Sequence, residues 1–522
     1  MPYLSALAAV VAMAIAAGGA GAAPAAAPAA TGAAKDSPYF VIKVVDEQTG
    51  RGVPLVELQT VNNIRLWTDS GGLVVFNEPG LMGRKVFFSV RSHGYDFPAD
   101  GFGSRGVALE TKAGGRAQIR IKRLNVAERL YRVTGEGVYA DTVLAGERPP
   151  TAEPLLNGQV LGQDSVQTVL YRGKIFWFWG DTNRPSYPLG HFGTAGATSE
   201  LPGRGGLDPA VGVNLTYFVG PEGFSRPICP EPRQGMKWLD GLMLLKDEKG
   251  AERLVARCEV HKSLSEVLER KLVIYNDQTD VFDTFMVLPK EGALQPVGHP
   301  FRYTDGGTEF YYFPAPYPTV RVRADMASVK DLAQYEAFTC LKPGSRYDKA
   351  NPALDRDAAG RLVWAWKKAT DPVSEGQQKD LLTAGRIKAD EAWFRVLDVE
   401  TKKPVTLHGS SVAYNAFRRR WIMIAVQNWG GPSMLGEVWY AEADKPEGPW
   451  RWARRIVTHD RYSFYNPKHH PFFDQEGGRI IYFEGTYTGT FSREGDLTPR
   501  YDYNQIMYRL DLSDPRLQMP KE

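Results

Sequence analysis

The sequence predicts an all-β protein, a small β-sandwich followed by a five-bladed β-propeller. Three observations lead there. The 522 residues include 53 Gly and 36 Pro beside 24 Tyr, 24 Phe and 12 Trp, a content of turn formers and rings that suits many short strands. Residues 38–123 read as short alternating runs broken by turn residues. Beyond residue 123 a hairpin pattern recurs five times, with insertions of varied length between its copies.

The chain opens with a segment that is not part of either domain. Residues 1–34 carry no charged side chain, and the apolar run 4–17 is followed by Ala20-Gly21-Ala22, a small-x-small cleavage pattern. Residues 1–22 therefore read as a signal peptide and 23–37 as an Ala/Pro linker, which makes the protein secreted or periplasmic. No later stretch approaches the ~20 apolar residues of a membrane helix, so no membrane partner is expected. With 63 Lys+Arg against 60 Asp+Glu, the net charge of +3 offers no general attraction to nucleic acid. A monomer is expected. Cys229, Cys258 and Cys340 contain no C-x-x-C pair, which argues against a thiolate zinc site. One disulfide with one free thiol, or three buried thiols, both stay open.

In the first domain, residues 40–45 and 53–58 alternate as strands around the turn Asp46-Glu47-Gln48-Thr49-Gly50. Residues 68–72 turn into a strand at 73–76, and further strands are expected at 85–90 and 117–122. Several strands so spaced indicate a sandwich.

The second region, 124–516, carries the five hairpins. The first runs from Gln163-Asp164-Ser165 over Arg172-Gly173 to Trp179-Gly180-Asp181; the second from Asp240-Gly241 over Lys249-Gly250 to Glu259-Val260-His261. The third starts at His299-Pro300-Phe301 and leaves at Tyr317, the fourth starts at Ser410 and leaves at Trp429. The fifth starts at Asn466 with His469-His470 and leaves at Glu484. Antiparallel units repeated in this way suit propeller blades. Residues 355–366 either form a sixth unit or decorate the third or fourth. In a propeller the strand starts (Asp164, Asp240, His299, Ser410, Asn466) and the second-strand exits (Asp181, Glu259, His261, Tyr317, Trp429, Glu484) meet at one end of the channel.

Carboxylates gathered there beside Trp238, Tyr317, Trp429, Tyr465 and Tyr487 are suited to a saccharide, because rings stack on sugar faces and paired carboxyls run acid/base chemistry. Two phrases carry a resemblance. Residues 436–450, G-E-V-W-Y-A-E-A-D-K-P-E-G-P-W, and residues 178–182, F-W-G-D-T, resemble the five-bladed propeller glycoside hydrolases of family 43 and related secreted propellers. Residues 38–123, with V-D-x-x-T-G-x-G-V-P and T-D-x-x-G-x-V, resemble transthyretin-like or carboxypeptidase-regulatory-like accessory domains.

The family 43 resemblance implies a secreted enzyme that hydrolyses a polysaccharide or oligosaccharide. Asp164 would be the base and Asp240 the pKa modulator. The third blade opens with His299 where the family has Glu, so the acid is His299, as in an agar-oligosaccharide family, or Glu259 or Glu484. Asp181, Trp238, His261, Tyr317, Trp429, Tyr465, His469 and Glu484 would bind substrate. No cofactor is required, no metal ligands are assigned, and a structural calcium ion in the channel is the one cofactor the resemblance allows. The rival readings are a non-catalytic glycan-binding propeller, and a polysaccharide lyase in which Arg321 or Arg323 neutralises a uronate.

Overall fold

A computed structural model of the chain describes residues 37–191, 193–230, 235–492 and 496–520, with the backbone alone at residues 188–191. Residues 1–22, expected as a signal peptide, and 23–36 of the expected linker lie outside the described residues. The protein is all-β; the longest helix among the described residues is the nine-residue Glu375–Thr383, closed at its start by a Ser374/Gln377 capping box.

The first region holds two four-stranded sheets. In one, Phe40–Asp46 lies between Leu73–Phe76 (antiparallel) and Arg116–Arg123 (parallel), with Tyr95–Asp96 at the edge. The other runs Arg65–Trp67, Glu57–Thr60, Lys85–Arg91, Gly106–Glu110. Alternation along each strand sends Ile42 and Val44 from the first sheet and Leu58 and Phe88 from the second into one shared apolar core. Each such side chain contributes roughly 1.5–3 kcal/mol by leaving water. The strand expected at 53–58 starts only at Glu57, because Pro54 lacks a donor and Leu55 adopts a left-handed φ of 59°.

Five further sheets follow in chain order. The first is Gln167–Tyr171, Lys174–Trp179, Ala195–Glu200 and Thr216–Tyr217. The second joins the four long strands Met236–Lys246, Glu252–Ser263, Glu266–Asn276 and Val281–Leu288. The third, beginning at Phe301–Asp305, and the fourth, beginning at Leu407–Asn415, have five strands each. In the third, Ala365–Lys368 is the outermost strand, so the segment 355–366 leads into that sheet and builds none of its own. Residues after the first hairpin fold back as a small extra sheet of Gly162–Gln163, Thr182–Arg184 and Tyr187–His191. All three cysteines are buried free thiols.

The last sheet takes its strands from both ends of this region. Ser463–His469, Ile480–Thr488 and Asn504–Asp511 are completed by Glu128–Arg132, which precedes all the other sheets and pairs antiparallel with Asn504–Asp511. Arg129 fastens this strand to the first region. Its fully buried guanidinium donates to the carbonyls of Pro54 (3.0 Å) and His93 (3.2 Å) and to the Ser92 hydroxyl. Replacing it strands those acceptors without partners. Arg129→Met is expected to lower unfolding free energy by at least about 2 kcal/mol, measured by urea denaturation.

Candidate active site

Every one of the five sheets reaches one cavity of about 340 Å³. Gln167 comes from the first, Trp238, Asp240, Arg257 and Glu259 from the second, His299 from the entry to the third, His408 and Ser410 from the fourth, and Asn466 from the fifth. Four of the five expected strand starts, Asp240, His299, Ser410 and Asn466, thus line it, and Ser165 beside Asp164 does as well.

Asp164 is held at the edge between the first and fifth sheets. Its carboxylate accepts from the Tyr465 hydroxyl at 2.6 Å and from the Asp181 amide at 3.1 Å, with Tyr503 and Ser165 donating from their side chains. Burial outweighs these bonds and raises its pKa above the usual carboxylate value. Gly180 lets the carboxylate sit there: a Cβ at that position would lie 2.1 Å from Asp164 Oδ1. Ser165 (φ 54°) and Asn466 (φ 51°) are both left-handed and are tied together by an Asn466 Nδ2 to Ser165 Oγ bond of 2.8 Å. Such strained backbone at a cavity edge is held only by its surroundings.

Asp181 follows Gly180. Trp238 Nε1 donates to its Oδ1 at 2.8 Å, and burial, with the charge of Asp164 adding to it, pushes its pKa up to about 7. The two neighbouring carboxyls, both raised by burial, differ in their donors: four surround Asp164, while Asp181 has the Trp238 indole and the Gly193 amide and keeps its proton to near neutral pH.

On the second sheet Arg257, Glu259 and His261 alternate onto one face, opposite Asp240 in register. Arg257 binds Asp240 through two bonds of 2.8 Å and Glu259 through one of 2.7 Å; Arg270 adds 2.6 Å to Glu259. His261 Nε2 lies 3.1 Å from Glu259 and its ring 4.6 Å from that of Trp238. The Gly298 amide donates to Asp240 at 3.1 Å, from a left-handed turn (φ 71°) in which a Cβ would meet the Pro314 carbonyl at 2.1 Å. The two arginines outweigh burial and hold Glu259 below the ordinary Glu pKa, so it has no proton to deliver.

His299 has none either. It is 6% exposed, its Nδ1 is 3.0 Å from Gln167 Oε1, and burial together with the positive charge of Lys468 pushes its pKa well below 6.5. With Gln167 placed as acceptor, Nδ1 carries the hydrogen and Nε2 is a lone-pair acceptor.

The remaining expected contacts separate. Tyr465 serves Asp164 rather than facing open space. Tyr317 is buried and packs on Phe394 with ring centroids 4.8 Å apart. His469 is buried and bonds Asp474 at 2.8 Å, and Trp429 is 73% exposed on a loop that does not line the cavity. Glu484 is fully buried, 2.9 Å from His470 Nε2, whose Nδ1 reaches Thr168 at 3.1 Å. Burial raises Glu484 to about 8 and pushes His470 well below 6.5, so the pair is a neutral carboxyl donating to a neutral imidazole. Arg321 cannot meet a uronate: it is buried between Phe310 and Trp366 and already bonds Asp305 and Glu336, each at 2.7 Å. Arg323 is paired with Asp325 at 3.5 Å. Among the described residues no three His, Cys, Asp or Glu side chains are grouped to hold a metal ion.

Sequence reasoning missed Arg257, Gln167, His408 and Tyr503. For Arg257 the signal was present in the Arg-x-Glu-x-His alternation; the others stand at positions where only the fold brings them in.

No protein-family profile matches the chain, and no curated protein matches it. Solved structures similar to it include the GH43_1 enzyme from Xanthomonas citri complexed with xylotriose (11% identity, 68% of this chain and 88% of that one, TM-score 0.30). An exo-1,5-α-L-arabinanase from a bovine ruminal metagenomic library is 9% identical over 68% of this chain and 94% of its own, with TM-score 0.33. The family 43 YxiA protein from Bacillus licheniformis is 10% identical over 67% and 71%, with TM-score 0.31. Likeness at this level assigns no activity to this chain.

The Glu484 pair has a pH signature. A carboxyl whose pKa rises from 4.5 unfolded to about 8 folded binds more proton in the native state, so stability falls as pH rises through that interval. Buried neutral histidines act in the opposite sense, but only below about 6.5. Between pH 6.5 and 8 Glu484→Gln is therefore expected to flatten the loss of stability seen in the wild type, read from urea midpoints at the two pH values.

Proposed function

We propose that this chain is an exported glycoside hydrolase: a transthyretin-like β-sandwich at 38–123 of structural role, and at 124–516 a five-bladed β-propeller that cleaves a polysaccharide or oligosaccharide. The delivery of the first strand, or for the third sheet its entry at His299, from each of the five sheets to a common cavity supports the blade arrangement. The observation that carries the activity is the Asp164–Asp181 pair, two neighbouring carboxyls next to the cavity, both raised by burial and held by different sets of donors.

In this reading Asp181 is the general acid. It retains its proton to near pH 7 and gives it to the departing glycosidic oxygen as the bond to the anomeric carbon breaks. Asp164, aligned by Tyr465 and Tyr503, is the base that takes a proton from the attacking water. Asp240 and Glu259 share Arg257, and Glu259 holds His261 against the Trp238 ring. Neutral His299 and Gln167 hydrogen-bond sugar hydroxyls, and the Trp238 ring gives them an apolar neighbour.

The test is product release from plant and algal polysaccharides by wild type, Asp164→Asn and Asp181→Asn. Each variant is expected to lose about 10²–10⁴-fold in kcat. Wild-type kcat should fall as pH rises through about 7, where Asp181 ionises, and this limb should vanish in Asp181→Asn. Retention of a saccharide with no release by any of the three proteins would establish a glycan-binding protein instead.

A further inference from the structure

The fifth sheet places a lysine close enough to the cavity-lining His299 for its charge to act on that ring, and no charge answers it. Lys468 lies two residues beyond Asn466 on Ser463–His469, is partly buried, and among the described residues has no hydrogen-bond or ion-pair partner. Its charge is felt by His299 and by His470. The carboxylates at and beside the cavity are committed elsewhere. Asp240 and Glu259 balance Arg257 and Arg270, while Asp164 is satisfied by its donors. Glu484 is the register partner of Lys468 across the strand pair, yet its carboxyl is turned to His470. Gln167 adds a second donor: with Oε1 occupied by His299, its amide nitrogen has no partner among the described residues. Burial lowers the lysine to about 8, which still leaves it mostly cationic at neutral pH. An enclosed cation without a counter-charge is costly, and an incoming anion would relieve that cost.

We propose that Lys468, with the amide of Gln167, the other partner of His299, forms an anion subsite next to the cavity, which takes a carboxylate or sulfate group of an acidic saccharide. The assignment to a saccharide rests on the cavity being the glycan site proposed above; the anion subsite itself does not. A free halide shares the same chemistry and is the alternative source.

The experiment uses the full chain and binding, not cleavage, as its readout. Calorimetry is run with oligogalacturonate, a sulfated galacto-oligosaccharide, a neutral galacto-oligosaccharide and sodium chloride, on wild type, Lys468→Met and Lys468→Arg. Wild type is expected to prefer an acidic ligand over the neutral one by about tenfold or more, as one charge-assisted contact allows. Lys468→Met should lose that preference while keeping its affinity for the neutral sugar, and Lys468→Arg should retain it. Lysine-dependent binding of chloride without preference for acidic sugars would support the subsite and name a free anion as its occupant. If wild type binds neither acidic sugar nor chloride in preference, or if Lys468→Met behaves as wild type, the proposal falls. Should Lys468→Met not fold, Lys468→Gln takes its place. A cleavage assay that fails on Asp164→Asn would leave this result untouched, so the two readings fail separately.

Discussion

The pairing of Glu128–Arg132 with Asn504–Asp511 is the constraint on which the site depends. It makes the last sheet from both ends of the region and leaves Asn504–Asp511 no open edge. The fifth sheet is thereby held against the first, and among the contacts across that seam are Tyr465 to Asp164, His470 to Thr168 and, at the cavity itself, Asn466 to Ser165. Arg129, on the same short strand, extends the tie to the first region through Pro54 and His93. One strand of five residues thus joins backbone closure, docking of the first region and the geometry of the carboxyl pair.

Around the cavity the fold treats ionisable groups in three ways. Asp240, Glu259 and the two arginines form a compact neutral cluster, which is rigid because each carboxylate is held by more than one donor. Asp181 and Glu484 are desolvated and keep protons that an exposed carboxyl would lose. Lys468 is desolvated without either remedy. These differences decide which groups have a proton to give and where charge is wanting, and they follow from packing rather than from residue type.

The strand starts were legible because propeller-like hairpins repeat a pattern of a polar residue, an apolar run and a tight turn. Asp240, His299, Ser410 and Asn466 were found that way, and each lines the cavity. Second-strand exits were a poorer guide. Asp181 and Glu259 come to the site, but Tyr317 turns into a core with Phe394, and Glu484 lies wholly inside, against His470. A single residue of offset moves a side chain from one face of a strand to the other, and the bulges near Asp240, His261 and Lys468 shift that offset locally.

By itself, the sequence determined the β character, the two regions and the set of polar residues that a strand start can present, since these depend on local alternation and turn chemistry. The tertiary structure alone decided which carboxyl keeps its proton, that His299 is neutral and that Lys468 stands unpaired. Those properties are set by desolvation and by charges contributed from strands far apart in the chain, and no local pattern encodes a distance between them.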